Sequence, residues 1–155
     1  MKKFVALILF TIVGISLTGC STNSSTKTTD KSLYPSDIAV KNGDVVDVHG
    51  KIINFSKFEK FLSNVTSNKK DKIRITAYTT EGDPIFYELN FNGKTVDYTF
   101  DNSRDGFNGL NKGKESTSCQ GFDMKQTGRK TEYTLKGCSN TDIGNTFRFF
   151  IRKQY

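Results

Sequence analysis

Apolar residues alternate with polar ones on both sides of Asn92-Gly93, and no other feature constrains the fold of this chain so tightly. Asn-Gly is the strongest short signal for a β-hairpin, because both residues tolerate positive φ angles. A period of two places every second side chain on the same face of a strand. The pattern therefore predicts two antiparallel strands whose core face carries Ile85, Tyr87, Leu89, Phe91, Val96, Tyr98 and Phe100.

The opposite face of this predicted hairpin carries carboxylates. A two-residue turn would set Glu88 directly opposite Asp97, and like charges in that position destabilise a sheet unless a cation neutralises them. Residues 73–78 alternate too, so a neighbouring strand there would bring Arg74 within diagonal reach of Glu88 and make a solvated charge ladder. The alternative is a site for a cation or basic ligand formed by Glu88, Asp97 and Asp101, although no loop has the acidic spacing of a calcium site.

The first twenty residues resemble the signal of a bacterial lipoprotein. Lys2 and Lys3 precede an apolar run over residues 4–17, which has the length of a signal-peptide core and is short for a bilayer core of about 30 Å. The run ends in the sequence LTGC at residues 17–20, and the resemblance implies cleavage before Cys20 and diacylation of its thiol. A secretory signal with an incidental cysteine is the alternative.

The predicted signal peptide at residues 1–19 leaves a mature chain that begins at Cys20. Residues 20–32 form a tether behind the lipidated cysteine, because eight of the twelve residues after Cys20 are Ser or Thr, and such a segment cannot offset its ordering entropy. Residues 33–155 have the length of one domain. This organisation predicts a lipoprotein anchored to the cell membrane on its extracytoplasmic face.

The charge of the chain leads to an expectation about its partners. Removal of Lys2 and Lys3 lowers the formal net charge from +7 to +5. A basic extracytoplasmic domain favours anionic cell-wall polymers, lipid headgroups or an envelope protein as partners, and the same address argues against nucleic acid. Ordinary solubility is the alternative explanation. The cations concerned are Lys125, Arg129, Lys130, Lys136, Arg148, Arg152 and Lys153.

Two of the three cysteines, Cys119 and Cys138, remain after lipidation, and an even number outside the cytosol predicts a disulfide. A two-residue turn at Gly128-Arg129, with glycine at the position that needs positive φ, would place these cysteines directly opposite each other. Two free thiols are the alternative. The same register gives apolar and oppositely charged cross-strand pairs that stabilise a sheet, namely Lys125 with Glu132, Met124 with Tyr133 and Phe122 with Leu135.

One helix is predicted, over residues 54–65, because apolar residues recur there at helical spacing. Asn54 or Ser56 can cap its first turn, and Ser56 with Glu59 forms the pattern of a capping box. The stripe that this helix must bury consists of Phe55, Phe58, Leu62 and Val65, with Phe61 at its border.

The order of the predicted elements indicates an α+β fold. An amphipathic helix must bury its stripe, and an antiparallel sheet with one apolar face offers the partner. We therefore expect one N-terminal helix packed on a curved, mostly antiparallel sheet of about six strands, in a cystatin-like arrangement by analogy.

The sequence favours a binding protein over an enzyme. It contains one histidine, His49, and a lone histidine is usually a polar surface residue. Glu81 and Asp83, in the turn before Pro84, are the best pair for hydrolytic chemistry, but acids in such loops more often shape the turn. A small envelope hydrolase that uses Glu81 and Asp83 is the alternative function.

A ligand site is expected where two polar loops meet at one end of the sheet. The predicted register of the hairpin pairs Asp83 with Asn102, and binding sites tend to lie on loops held by a rigid scaffold. No metal or cofactor is predicted for this site. Its candidate residues are Glu81, Asp83, Asp101, Arg104 and Asp105.

Four segments resemble a family of small lipoproteins from Gram-positive, Bacillus-type bacteria. They are YTTEGDPI (78–85), DNSRD (101–105), ESTSCQG (115–121) and YTLKGCS (133–139). The family is defined as a domain of unknown function, so the resemblance implies a membrane-anchored extracytoplasmic domain without implying an activity. The sequence also contains no HExxH, paired CxxC, GxSxG or P-loop motif. Together, these observations favour a non-enzymatic module that binds an envelope component or a partner protein.

Overall fold

The computed structural model describes residues 34–107 and 112–152, and the larger sheet in this part of the chain has six strands. The predicted signal peptide, Cys20, the tether and Lys153 lie outside these residues. The strands are β1 Val45–Val48, β2 Lys51–Ile53, β3 Asp71–Tyr78, β4 Pro84–Phe91, β5 Val96–Asp101 and β6 Lys114–Cys119. Their order in the sheet is β2-β1-β3-β4-β5-β6, and β1 pairs with β3 in parallel while the other neighbours are antiparallel.

A second sheet contains the predicted cysteine hairpin. Its strands are β7 Gly121–Thr127, β8 Lys130–Lys136 and β9 Arg148–Arg152, in that order. The hairpin register is confirmed, since Lys125 lies opposite Glu132 and Phe122 opposite Leu135. Gly128 has a φ of +57°, which is the left-handed conformation that the turn requires.

The disulfide lies where the chain passes from one sheet to the other. Gln120 alone separates β6 from β7, and Cys119 is joined to Cys138 with an S–S distance of 2.06 Å. The Gln120 amide donates a hydrogen bond to the Lys136 carbonyl oxygen at 2.9 Å, so backbone pairing continues up to this corner. The disulfide therefore ties the two sheets together.

Three helices accompany the sheets, where one was predicted: α1 Ser36–Lys41, α2 Phe55–Thr66 and α3 Thr141–Asn145. The predicted helix is confirmed as α2. Its capping box is wrong, because no side chain caps α2 and the Asn54 amide instead donates to the Asp44 carbonyl oxygen at 2.8 Å. The border position of Phe61 is also wrong, since both Phe58 and Phe61 have no exposed surface.

The core lies between the two sheets and is filled from α2. The Phe58 ring packs edge-on against Tyr133 and Phe149 of the second sheet, with centroid distances of 5.1 and 4.9 Å. Leu89 and Tyr98, which were predicted on the core face, are buried on the six-stranded side. The α+β class is thus confirmed, but the strands divide into two sheets, and the apolar side chains of α2 contact both.

The register of the Asn92-Gly93 hairpin differs from the prediction. The loop has four residues, and the Asn92 side chain holds it by accepting hydrogen bonds from the amides of Lys94 and Thr95 at 2.9 and 3.1 Å. Glu88 consequently lies opposite Thr99 and not opposite Asp97, which pairs with Asn90. The predicted core face is retained, because the shift moves each partner by two positions and side chains alternate with a period of two.

Candidate functional site

The two polar loops meet at one end of the sheet, as predicted, although Asp83 does not pair with Asn102. The buried Asp83 carboxylate accepts a hydrogen bond from the Gly106 amide at 2.6 Å. The Asp83 amide donates to the Thr79 hydroxyl at 3.0 Å. Asp83 therefore joins the turn before β4 to the loop after β5, which is a structural use of the carboxylate.

The other candidate acids of this rim also interact with nearby backbone. Asp101 accepts a hydrogen bond from the Ser103 amide at 3.0 Å, and Asp105 accepts one from the Phe107 amide at 2.9 Å. Glu81 is exposed. Within the described part of the chain, no hydrogen bond or ion pair joins Glu81 to Asp83. The two rim loops therefore lie together, but their aspartate carboxylates bind nearby backbone amides and are not arranged around a shared ligand position.

Arg104 leaves the rim and lies over the outward face of the six-stranded sheet. Its guanidinium carbon is 5.5 Å from the centroid of the Phe86 ring and 5.9 Å from that of Tyr34. Arg74 lies over the same two rings, at 5.4 and 5.1 Å. A cation over an aromatic face is attracted to it, so these contacts hold the segment around Tyr34 on the sheet.

A buried carboxylate, missed by the sequence analysis, organises this face. Asp44 is 4% exposed and accepts hydrogen bonds from the Tyr34 hydroxyl at 2.8 Å, Arg74 Nε at 3.0 Å and the Thr76 hydroxyl at 2.7 Å. The predicted neighbouring strand is confirmed, and Arg74 lies directly opposite Glu88. The ion pairs differ from the expected ladder, because Arg74 pairs with Asp44 while Glu88 pairs with Lys114 at 3.4 Å. The available signal for this cluster was the alternation of residues 73–78, which places Thr76 on the same strand face as Arg74.

Around the buried Asp44, the pKa values of Arg74 and Tyr78 are both raised. Desolvation lowers the pKa of Arg74, but the hydrogen bond and negative charge of Asp44, together with Tyr34 and Glu88, raise it by more, so the net pKa lies above its usual value. The Tyr78 hydroxyl donates to the Tyr34 carbonyl oxygen at 2.6 Å. Burial, with smaller contributions from Tyr34 and Asp44, raises the pKa of Tyr78 to about 12. Arg74 and Tyr78 therefore keep their protons throughout the physiological range.

Asp44, Tyr34, Arg74 and Thr76 form what we call the Asp44 cluster. Beside it, the same sheet face forms a groove of about 760 Å³, which we call the sheet groove. Its floor consists of two rows of side chains that run across β3, β4 and β5. One wall is residues 42–44, where Lys57 of α2 donates a hydrogen bond to the Gly43 carbonyl oxygen at 2.7 Å. The rows are Lys72, Asn90 and Asp97, and then Arg74, Glu88 and Thr99.

The structure does not assemble the alternative cation site of Glu88, Asp97 and Asp101. Glu88 and Asp97 are not opposite each other, and Glu88 is paired with Lys114. Among residues 34–107 and 112–152, no group of three or more His, Cys, Asp or Glu side chains is placed to hold a metal ion. His49 has a different role, since its Nε2 atom lies 3.0 Å from the Thr79 carbonyl oxygen and bridges two turns.

The outward face of the three-stranded sheet, which we call the basic face, carries most of the cations named from the sequence. Lys130 Nζ lies 3.6 Å from the centroid of the Phe150 ring, and Arg148 lies on the same ring at 5.7 Å. The two acids of the face are paired, Glu132 with Arg148 at 2.5 Å and Asp123 with Lys136 at 3.2 Å. Its five cations are Lys125, Lys130, Lys136, Arg148 and Arg152.

A family model described as a domain of unknown function (DUF4362) matches residues 42–134. The match spans the six-stranded sheet, the sheet groove and β7, and it ends within β8. No curated protein and no solved structure matches the chain, so the cystatin-like arrangement remains a prediction. In the described residues, no helix has the length and apolar character needed to cross a membrane.

Proposed function

The chain belongs to the DUF4362 family, and because the function of that family is unknown, we propose one from the surfaces of this member. We propose that it is a non-enzymatic lipoprotein, anchored through Cys20 on the extracytoplasmic face of the cell membrane of a Gram-positive bacterium. Its basic face binds an anionic polymer of the cell envelope. The observation that carries this proposal is the concentration of five cations, against two acids, on one sheet face, where Lys130 and Arg148 lie over the Phe150 ring.

The excess charge of the basic face supports binding to a polyanion. Each acid is already paired with a cation of the same face, so Lys125, Lys130 and Arg152 set its remaining field. All three side chains are exposed. A cluster of like charges raises the local concentration of counter-ions and accelerates their association, and this effect weakens as salt is added.

Phe150 restricts the side chain of Lys130, one of these cations. It points outward from a sheet whose other face packs on the core, and Lys130 lies against its ring. A long lysine side chain normally loses rotamer freedom when it binds an anion. Contact with the ring restricts Lys130 beforehand, which lowers the entropy that binding must offset.

The expected location at the membrane surface also favours an anionic envelope polymer as the ligand. Two acyl chains on Cys20 would hold the protein at the membrane, whereas one chain binds only marginally. The tether predicted at residues 20–32 would reach at most roughly 40 Å when fully extended. That reach would let the domain contact polymers close to the membrane surface.

The hydrolase alternative has less support. Asp83 uses its carboxylate to accept the Gly106 amide, and a catalytic acid or base needs that atom available to its substrate. Glu81 is exposed in the turn and lacks the enclosed surroundings that are typical of a catalytic carboxylate. A polymer-binding role requires neither residue.

The test is cosedimentation of the oxidised chain from Ser21 to Tyr155, which retains every described residue, with purified Gram-positive cell walls. Walls with and without their anionic polymers are compared over a range of salt. The test variant replaces Lys125, Lys130 and Arg152 by Gln. The control variant removes the same charge elsewhere by replacing the exposed Lys51, Lys60 and Lys94 by Gln.

We expect binding that falls with salt, disappears with the polymers and is lost in the test variant, while the control variant binds about as well as the parent. Equal losses in both variants would show a dependence on net charge alone and would reject the basic face. Binding that persists without the polymers would reject the anionic ligand.

A further inference from the structure

We infer a second binding site that is independent of the basic face: the sheet groove binds a short, extended peptide with free amino and carboxyl ends. The inference rests on the separation of charge along one row of its floor. Lys72 on β3 lies opposite Asn90 on β4, and Asn90 lies opposite Asp97 on β5. A cation and an anion thus occupy the two ends of one row, with an amide between them.

The two charges of the other row are engaged in ion pairs. Arg74 is paired with Asp44, and Glu88 with Lys114. Within the described residues, Lys72 and Asp97 take part in no ion pair, and both are exposed. On the β3 side the ammonium of Lys57 lines the wall and adds positive charge. The groove is therefore positive towards β3 and negative towards β5.

The spacing of these charges selects the length of the ligand. Neighbouring strands lie about 4.8 Å apart, so the β3 and β5 positions of one row are separated by roughly 10 Å. An extended chain advances about 3.3–3.6 Å per residue, so three residues span the same distance. A tripeptide can therefore place its carboxylate near Lys72 and its ammonium near Asp97, with one peptide unit at Asn90.

The size and chemistry of the floor fit such a ligand. Pockets of about 300–1,000 Å³ hold small ligands, and the volume of about 760 Å³ leaves room for side chains. The Asn90 amide can donate to a peptide carbonyl and accept from a peptide amide. A ligand with charge at one end only would leave the opposite end of the row without a partner.

The test uses trialanine as the probe, together with N-acetyl-trialanine and trialanine amide, each added to the oxidised chain from Ser21 to Tyr155. Backbone amide shifts report both the affinity and the position of binding. The test variants are Lys72→Gln, Asp97→Asn and the exchanged pair Lys72→Asp with Asp97→Lys. The control variants remove an exposed charge outside the groove, as Lys70→Gln and Asp142→Asn do.

We expect trialanine to shift amides of β3, β4 and β5, and each single test variant to weaken it by about fivefold, the upper value for one exposed ion pair. Blocking either peptide end should weaken binding to the same extent. The exchanged pair should bind more tightly than either single variant, because a zwitterion can bind in the reverse direction, but less tightly than the parent, because Lys57 still places positive charge on the β3 side. The control variants should bind as the parent does.

Equal binding of free and blocked peptides, shifts outside the groove, or the absence of any shift would overturn the inference. Both substituted side chains are exposed, so loss of the fold is not expected, and an unchanged amide spectrum without peptide verifies it. The variant with three Gln substitutions on the basic face should still bind trialanine. A variant that no longer binds cell walls but still binds trialanine would show that the basic face and the sheet groove are separate sites.

Discussion

Replacement of Asp44 by Ala should destabilise the protein more than replacement of any exposed carboxylate. Asp44 is 4% exposed and is the common acceptor for Tyr34, Arg74 and Thr76. Thr76 has no exposed surface, so water cannot replace the lost acceptor. Removing one partner of a buried polar group costs more than the hydrogen bond is worth, because the remaining group keeps its desolvation penalty.

The magnitude follows from two contributions. A buried hydroxyl without an acceptor costs about 1–3 kcal/mol. The charge-assisted bond to Arg74 adds about 1.5–3 kcal/mol when buried, which we discount because the Arg74 side chain is 34% exposed. We therefore expect Asp44→Ala to lower the free energy of unfolding by about 3 kcal/mol, a large part of the 5–15 kcal/mol typical of a domain.

A double-mutant cycle with Thr76→Val isolates the hydrogen bond. Valine keeps the shape and the preference for a strand but removes the hydroxyl, so it should cost about 1 kcal/mol in the parent. In the Asp44→Ala background, Thr76→Val removes a hydroxyl that would otherwise be buried without an acceptor. The double variant should therefore be about 1.5 kcal/mol more stable than the sum of the two single effects predicts.

The assay is equilibrium unfolding in urea of the oxidised chain from Ser21 to Tyr155, followed by far-UV circular dichroism, since the protein has no tryptophan. Asp97→Ala, an exposed aspartate on the same sheet face, is the control and should change stability by less than about 0.5 kcal/mol. Additive effects of Asp44→Ala and Thr76→Val would refute the reasoning, because they would show that the two side chains do not interact.

Three further predictions concern stability. The oxidised chain should be two hydrogens lighter than the reduced chain, and replacing Cys119 and Cys138 by Ala should cost about 3 kcal/mol in urea unfolding, given their separation of 19 residues; equal masses would exclude the disulfide. Gly144→Ala should cost about 1–3 kcal/mol, because its Cβ would lie 2.5 Å from Cys138 Sγ, whereas Gly113→Ala has open space and should have little effect on the same unfolding curve. Stability should fall as pH rises from 10 towards 12, because unfolded tyrosine loses its proton near pH 10 while folded Tyr78 keeps it; melting temperatures over this range should fall less steeply for Tyr78→Phe, and identical slopes would contradict the assignment.

The local pattern of the sequence predicted which side chains share a face. Alternation identified the core face that includes Leu89 and Tyr98, and the turn at Gly128 gave the register that brings Cys119 towards Cys138. Both results depend on neighbours along one hairpin, where the period of two leaves little choice. The four-residue loop was missed because Asn92 uses its own side chain to accept two backbone amides.

The candidate site was only partly predictable. The meeting of the two rim loops followed from the hairpin, and every cation of the basic face was named in advance. The hairpin register already places Lys125, Lys130 and Lys136 on one face. The addition of Arg148 and Arg152 to that face required β9 to pair with β8, which no local pattern specifies. The role of Asp83 as an acceptor for Gly106 likewise depends on a loop 23 residues away in sequence.

The sequence by itself determined the hairpins, the main helix and the distribution of charge, because each depends on periodicity or turn chemistry within a few residues. Only the tertiary structure decided which segment covers which face. Tyr34 and Asp44 lie 30 or more residues from the strand positions that they contact. Contacts of that length are selected by the burial and hydrogen bonding of the whole fold, and they convert a polar strand face into the Asp44 cluster and the sheet groove.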